Sequence, residues 1–485
     1  MSWPDHRSVF YTLGMFLSGI AALMLLPALA DYAADHRNWT GFIAGAAVSG
    51  GAGGAMILAF RTNQKPVIGR REGFLLTSLT WVVMCAFAAL PLALSDAGLG
   101  YTDAFFETMS GLTTTGSTVM VGLDTQSRGI LLWRSILQWL GGIGIIVLAV
   151  MMLPYLGVGG MQLFRTEFSE KVDKIRARAV DVTWEIFSIY AVLTVICAVL
   201  LTVAGMPLFD AVCHAMTSVA TAGFSTKDAS IGYYGPLVQW IIIVFMFIGA
   251  LAFMLMARLV WHGDWRSLLR DEQVRWYAFT MVCVIILVTL WQFGVNGRDL
   301  ESAFRSSAFN VVSILTTTGF SSEDYSAWGT FPLTLFMILL FVGGCTGSTA
   351  GGMKIFRFCI LGSFAKWQIR SLVHRNRVLL PTYNGVAVTE DVIRSVIGFI
   401  VLYIFTFVIL GLAIAAFQID ILTAYSAAAQ ALGNVGPGLG PIIGPSGNYA
   451  SLPDGVKWLL AFGMLIGRLE LLTVMVLFTP TFWRG

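Results

Sequence analysis

Residues 301–322 read ESAFRSSAFNVVSILTTTGFSS. An acidic start leads into a moderately apolar run, which stops at a glycine set among hydroxyls. Ten helical residues rise only about 15 Å, so such a run cannot cross a hydrocarbon core of about 30 Å. Alone, the segment reads as a helix ended by glycine and followed by a turn. Three more stretches follow its plan: DAFFETMSGLTTTGSTV at 103–119, DAVCHAMTSVATAGFST at 210–226 and DILTAYSAAAQALGNVGPGLG at 420–440. Aligned on Gly116, Gly223, Gly319 and Gly436, they recur at intervals of 107, 96 and 117 residues. Self-similarity at such spacing is architectural rather than local.

The sequence between these copies is strongly apolar. Of 485 residues 57% are hydrophobic and only 12% charged, and the mean hydropathy is +0.78. Soluble domains carry about 25% charge, so the chain is a polytopic membrane protein. A net charge of +3 gives no reason to expect nucleic acid as a partner. A span needs about 20 mostly apolar residues. Ten candidates satisfy this, near 9–30, 38–60, 73–95, 128–153, 184–205, 234–260, 275–295, 329–365, 391–416 and 455–479. The eighth is interrupted by glycines. The N-terminal hydrophobic run lacks a small-residue cleavage site and reads as a retained first span.

Basic residues set the orientation. One set of connections holds Arg61, Lys65, Arg70 and Arg71, then Arg165, Lys171, Lys174, Arg176 and Arg178. The same side holds Arg258, Arg266, Arg270 and Arg275, and finally Lys354, Arg357, Lys366, Arg370, Arg375 and Arg377. The opposite side is acidic, with Asp96, Asp103, Glu107, Asp124, Asp210, Asp228, Asp299, Glu301, Glu323, Asp324, Asp420 and Asp454. The basic side is therefore expected to be cytoplasmic, with both termini inside. The acidic side either concentrates cations or merely tolerates acids.

Each short run thus lies on the outer side between two spans, as a re-entrant helix. Non-helical backbone survives at membrane depth only where protein buries it or water meets it. Four such segments are expected to converge on one aqueous cavity. A ring of backbone carbonyls there can replace a cation's hydration shell. Glycine suits the ring because it takes positive φ without steric cost, and the negative C-terminal ends of the short helices favour a cation.

At these residues the chain resembles the TrkH/KtrB/HKT superfamily of potassium transporters, and within it the TrkH branch. The resemblance covers nearly the whole chain. It implies an all-α membrane protein of ten helices, with four pseudo-symmetric span–pore-loop–span repeats around one pore. The repeats would be 65–165, 166–268, 269–378 and 379–485, with residues 1–64 as an extra N-terminal helix pair. It further implies potassium uptake across the bacterial cytoplasmic membrane, a homodimer, and a cytosolic TrkA-type ring that binds a nucleotide (ATP/ADP or NAD/NADH). Carried over by motif, the filter is Thr114, Thr115, Gly116 and Ser117; Thr221, Ala222, Gly223 and Phe224; Thr317, Thr318, Gly319 and Phe320; and Asn434, Val435, Gly436 and Pro437. Potassium at these carbonyls is the implied metal, and no transition-metal spacing occurs. In the superfamily a serine at the first filter glycine goes with sodium preference; all four positions here are glycine. Ser117 departs from the aromatic, and Asn434 and Pro437 from Thr and Phe, so the ring is asymmetric.

The interrupted span carries GGCTGSTAGGMKIF at 343–356. From Gly347 it nearly matches a phosphate-binding loop, but Met353, Lys354 and Ile355 follow where Lys and Ser or Thr belong. No soluble domain is long enough for the rest of an ATPase. Glycines cost roughly 1 kcal/mol each against alanine in a helix, so Gly343, Gly344, Gly347, Gly351 and Gly352 should break it. Thr346, Ser348, Thr349 and Ala350 complete the loop. A broken helix strands carbonyls. Arg468, about twelve residues into the last span, would cost about 2.5–3.5 kcal/mol at mid-membrane unless partnered. Its five donors can serve those carbonyls. The resemblance places this loop below the filter as a movable gate contacted by the last-span arginine. Lys354 either adds positive charge at the inner exit or pairs with Glu470, the one carboxylate that would suggest sodium- or proton-coupled symport.

Lesser candidates are Gln138 and Gln239, which either bond the re-entrant backbone or simply pack between helices, and His214, read as structural. Cys85, Cys197, Cys213, Cys283, Cys345 and Cys359 are scattered and read as free thiols. Asn384-Gly385 signals a hairpin and Thr389 a helix start on the basic side. That surface suits either a regulatory partner or anionic lipid.

Overall fold

The computed structural model describes residues 6–61, 69–152, 172–373 and 380–484. Lys65, Arg165, Lys171, Arg375 and Arg377 lie outside the described residues. The chain is a helical membrane protein whose only named sheet, among the described residues, is a two-stranded hairpin. Among the described residues, seven helices are long and apolar enough to cross a bilayer: His6–Ala33, Trp39–Ala59, Arg71–Ala93, Arg128–Ile146, Asp181–Val203, Glu272–Gly294 and Glu390–Ala415. Two further apolar pairs are bent, Pro236–Gly249 with Phe253–His262 by 99° and Asp454–Arg468 with Leu471–Phe478 by 111°. The interrupted eighth span is Thr330–Leu339 and Ile355–Val373.

The sixth and tenth spans, expected as continuous, are therefore broken. At the sixth, Gly249 and Ala250 turn their carbonyls to the 343–352 loop, accepting from Thr349 N at 3.3 Å and Cys345 N at 2.9 Å. At the tenth, Glu470 takes φ +58° immediately after the helix that carries Arg468. The three interrupted helices break where they meet one another. The breaks of the sixth and eighth spans bond one another, with Phe253 N also donating to Gly347 O, and the Arg468 side chain ties the tenth to Thr349 O. Burial against protein of this kind permits irregular backbone at that depth.

The N-terminal helices pack through small residues. A side chain at Gly14 would lie 2.8 Å from Gly53 O, the close approach that small residues allow in membranes. Asp31, fully buried at the end of this pair, accepts from Gly129 N at 2.6 Å and Ser127 Oγ at 3.0 Å. It thereby caps Arg128–Met152 from another element.

Four short helices precede the aligned glycines: Tyr101–Leu112, Leu208–Val219, Leu300–Leu315 and Ile421–Gly433. Asp299 and Asp420 cap the last two through Ser302 N and Thr423 N. The hairpin pairs Thr382 with Ala387 and Tyr383 with Val386, turning at Asn384 and Gly385, both at positive φ. Asn384 ties it to Asp271 and to Glu272 N, at 2.9 and 2.8 Å. Thr389 occupies the N-cap of Glu390–Ala415 without a side-chain capping bond. The described cysteines form no disulfide.

Candidate functional site

The four glycine segments share one backbone design. The first three short helices end four residues before their glycines and the fourth ends three before, and the chain then reverses. Thr115 N donates to Ser110 O, Ala222 N to Thr217 O, Thr318 N to Ser313 O and Val435 N to Gln430 O, at 2.8–3.0 Å. These donors and acceptors occupy equivalent positions in all four copies. Thr114, Thr221, Thr317 and Asn434 all sit at positive φ, between 48° and 58°. For a β-branched threonine that region is an outlier, and such strain persists only where the surroundings enforce it. Gly116, Gly223 and Gly319 follow at φ 79–88°, whereas Gly436 is not in that region.

The segments close into a ring. A Cβ on Gly116 would lie 2.2 Å from Ala222 O, one on Gly223 2.0 Å from Thr318 O, one on Gly319 2.6 Å from Gly436 N, and one on Gly436 3.1 Å from Gly116 O. Each glycine thus abuts the backbone of the next segment in cyclic order. The ring is nearly all buried, yet most of its carbonyls are unclaimed. Ala222 O accepts from Gln138 Nε2 at 2.6 Å, and Gly436 O accepts from Ser117 Oγ at 2.8 Å and Tyr449 Oη at 3.2 Å. Among the described residues, the carbonyls of Thr114, Thr115, Gly116, Thr221, Gly223, Thr317, Thr318, Gly319, Asn434 and Val435 accept no protein hydrogen bond. Buried carbonyls without donors are costly. Clustered in a ring, at the negative ends of four helices, they suit a cation.

The asymmetric positions have specific partners. Ser117 reaches Gly436 O and the Gln430 side chain, both in the fourth copy. Asn434 donates from Nδ2 to Thr115 Oγ1 at 3.1 Å and Met464 O at 2.9 Å. Phe224 and Phe320 are buried. Pro437 completes the fourth segment, its ring 3.1 Å from where a Gly319 Cβ would stand.

The 343–352 loop lies against the start of these segments. Thr349 Oγ1 bonds Gly249 O and Thr221 Oγ1 at 2.9 and 3.0 Å, and Gly351 N donates to Thr317 Oγ1 at 2.6 Å. A Cβ on Gly351 would stand 2.5 Å from Gly433 O. Gly343 N donates to Met353 O, Thr346 N to Gln273 Oε1, Ser348 Oγ to Cys345 O, and Gly347 O accepts from Phe253 N. Gly344 packs on Ala250, and Gly352 turns at φ +67°. Arg468, 3% exposed, donates from one terminal nitrogen to Thr349 O at 2.8 Å and from the other to Gly141 O at 3.3 Å. One side chain therefore ties the loop to the last span and to Arg128–Met152.

Several expectations need correction. Lys354 does not pair with Glu470; its Nζ donates to Ala350 O. Glu470 instead bonds Arg357 at 2.8 Å, and that guanidinium lies 3.6 Å from the centre of the Phe399 ring. Arg357 has the planar fork a carboxylate prefers. Gln239 does not bond the re-entrant backbone: it donates to Tyr234 O and accepts from the side chain of Arg305, on the third short helix. Gln138 bonds Ala222 O and also accepts from Phe224 N at 2.9 Å. Glu107, assigned to the acidic face, is fully buried and paired with Arg134. Other acids of that face are also engaged: Asp103 with Lys457, Asp210 with Thr226 and Tyr234, Glu323 with Arg298. His214 is buried between Asp210 O and Ser225 Oγ. Sequence reasoning missed Arg134, although the test that singled out Arg468, an arginine inside an apolar run, applies equally to RGILLWRSILQ.

A closed ring of mostly unclaimed carbonyls, inside a helical bundle with broken spans, suits a membrane transport protein for cations. The chain belongs to the TrkH family: the family's model, described as a cation transport protein, matches residues 42–484. It is 47% identical over 413 residues to the Trk system potassium uptake protein TrkI of Halomonas elongata, covering 85% of this chain and 84% of that protein. It is 39% identical to the TrkH protein of Escherichia coli K12 over 99% of both chains. The crystal structure of the potassium transporter TrkH from Vibrio parahaemolyticus superposes with a TM-score of 0.91 at 35% identity, covering 99% of this chain and 100% of that one. These relatives are transporters, not enzymes.

Proposed function

We propose that this protein takes up potassium across the bacterial cytoplasmic membrane through the ring of four glycine segments, which acts as its selectivity filter. The observation that carries the reading is the set of ten ring carbonyls, most of them buried, without protein donors among the described residues. Carbonyl oxygens of this kind replace the water shell of K+. The Trk potassium uptake proteins it resembles support the choice of ion.

The 343–352 loop is the gate. It spans the inner side of the ring through Thr349 and Gly351, and Arg468 latches it. Lys354 adds positive charge beside the loop and raises the electrostatic barrier while the loop stays in place. Opening requires Thr349 O to leave Arg468. Coupled symport would need a titratable group free to load an ion or proton. Glu107 and Glu470 are each held by an arginine, which speaks against either as a coupling site and favours transport down the electrochemical gradient of K+. The basic side faces the cytoplasm with both termini. A homodimer and a cytosolic TrkA-type nucleotide-binding ring, as the resemblance implies, complete the system, with the hairpin side as the docking surface.

The test is rubidium or potassium flux into proteoliposomes holding the purified protein, with and without sodium and pH gradients. Flux down a potassium gradient alone is expected. Flux that appears only when a sodium or proton gradient is imposed would refute the uncoupled mechanism.

A further inference from the structure

Behind the first glycine segment lies an ion pair that the ring itself does not explain. Glu107, on Tyr101–Leu112, is fully buried, and Arg134, on Arg128–Met152, is 1% exposed. Arg134 Nε donates to Glu107 Oε1 at 2.8 Å, one terminal nitrogen to Ser225 O at 2.9 Å, and the other to Thr118 Oγ1 at 3.2 Å. Its guanidinium lies 4.0 Å from the centre of the Phe224 ring. Glu107 accepts in addition from Thr118 Oγ1 at 2.9 Å and Val119 N at 2.9 Å. The pair therefore holds two segments at once: Thr118 and Val119 of the first, Phe224 and Ser225 of the second.

Gln138 stands four residues beyond Arg134 on the same helix face. It bonds Ala222 O and Phe224 N. Arg134 and Gln138 together thus grip the second segment from Ala222 to Ser225, while Glu107 anchors the first to the same arginine.

The other copies show the same strut in neutral form. Nine residues before each glycine stand Glu107, His214, Asn310 and Ala427. His214 bonds Ser225 Oγ at 2.9 Å, and Asn310 bonds Ser322 through both Nδ2 and Oδ1. Each ties its short helix to the limb after its own glycine; Ala427 has no polar side chain to do so. Among the described residues, only the first copy makes this strut an ion pair, and only there does the strut's partner cross to the next segment. Charge-assisted hydrogen bonds are shorter and roughly twice as strong as neutral ones, and separating a buried pair leaves an uncompensated charge.

We propose that the buried Arg134–Glu107 pair is a positioning device for ion selection, fixing the outer limbs of the first and second segments relative to one another and so setting the preference of the ring for K+ over Na+. The proposal rests on the filter reading given above. A ring free to contract meets the shorter coordination distances of Na+; a strut that prevents contraction excludes it. Neither residue touches the ion.

The experiment measures K+ against Na+ permeability from bi-ionic reversal potentials, with the full chain in planar bilayers or proteoliposomes. Wild type is compared with Glu107→Gln, Arg134→Lys and Thr118→Val. Glu107→Gln keeps the shape and loses the charge; Arg134→Lys keeps the charge and loses the fork. Each is expected to lower the permeability ratio by about tenfold, the worth of one charge-assisted hydrogen bond. A strut that served folding alone would change yield and thermal stability but not the ratio. Wild-type ratios in Glu107→Gln and Arg134→Lys, reconstituted at wild-type levels, overturn the inference and leave the filter reading intact. A wild-type protein without K+ preference overturns both. Should Glu107→Gln fail to reconstitute, Arg134→Lys and Thr118→Val decide, and unchanged ratios in those two overturn the inference.

Discussion

Arg468 shows how one residue is decided by its solvent. An arginine this far into a membrane helix must find acceptors, and it finds Thr349 O and Gly141 O. Hydrogen bonds from a charged donor are worth about 1.5–3 kcal/mol each. Arg468→Ala therefore removes a latch and is expected to raise unstimulated rubidium flux by about tenfold or more; unchanged flux at normal expression contradicts the gate assignment. The arginine was legible in the sequence, as was its loop partner, because an uncompensated charge and a glycine-broken helix each demand the other. Its second acceptor was not, since nothing in the sequence marks Gly141 as adjacent. Glu470 was legible only as a carboxylate. Its positive φ and its pairing with Arg357 follow from the bend of the last span, which its apolar composition conceals.

At the scale of elements, the informative feature is that helices break together. Apolar length predicts a span well, and straight spans such as Trp39–Ala59 and Glu390–Ala415 fall within a residue or so of their expected bounds. Apolar length does not report direction, so the bends of 99° and 111° went unread. The bend at Gly249 is enforced by the 343–352 loop, which takes the freed carbonyls. Thr349→Val removes the hydroxyl that bonds Gly249 O and Thr221 Oγ1. With one net hydrogen bond worth about 0.5–1.5 kcal/mol, it is expected to raise unstimulated flux several-fold, less than Arg468→Ala. A flux below wild type would show that the hydroxyl serves the open state instead. The capping of Arg128–Met152 by Asp31 belongs to the same scale. Asp31→Ala leaves Gly129 N and Ser127 Oγ without their acceptor, and is expected to destabilise the protein by about 1–3 kcal/mol. The thermal transition in detergent should fall, with transport per folded molecule retained.

At the scale of the whole molecule, the ring was legible because it is written four times. Any one glycine segment is an ordinary helix end; four at matching places between spans are not. Cyclic order, the particular carbonyl that Gln138 engages and the engagement of Gly436 O were not legible, because they depend on how one copy meets the next. The fourth copy differs most. Gly436 lacks the positive φ of the other three, and a Cβ there would stand 3.1 Å from its nearest neighbour, against 2.0 Å at Gly223.

That contrast supplies the most direct test of the ring as the seat of selection. Permeability of K+ relative to Na+ is measured for wild type, Gly223→Ala and Gly436→Ala reconstituted at equal density. Gly223→Ala forces a methyl into Thr318 O at a left-handed backbone position, and is expected to abolish K+ preference or conduction. Gly436→Ala needs a displacement of only a few tenths of an ångström and is expected to retain most of both. Equal, wild-type selectivity in the two variants would contradict the account.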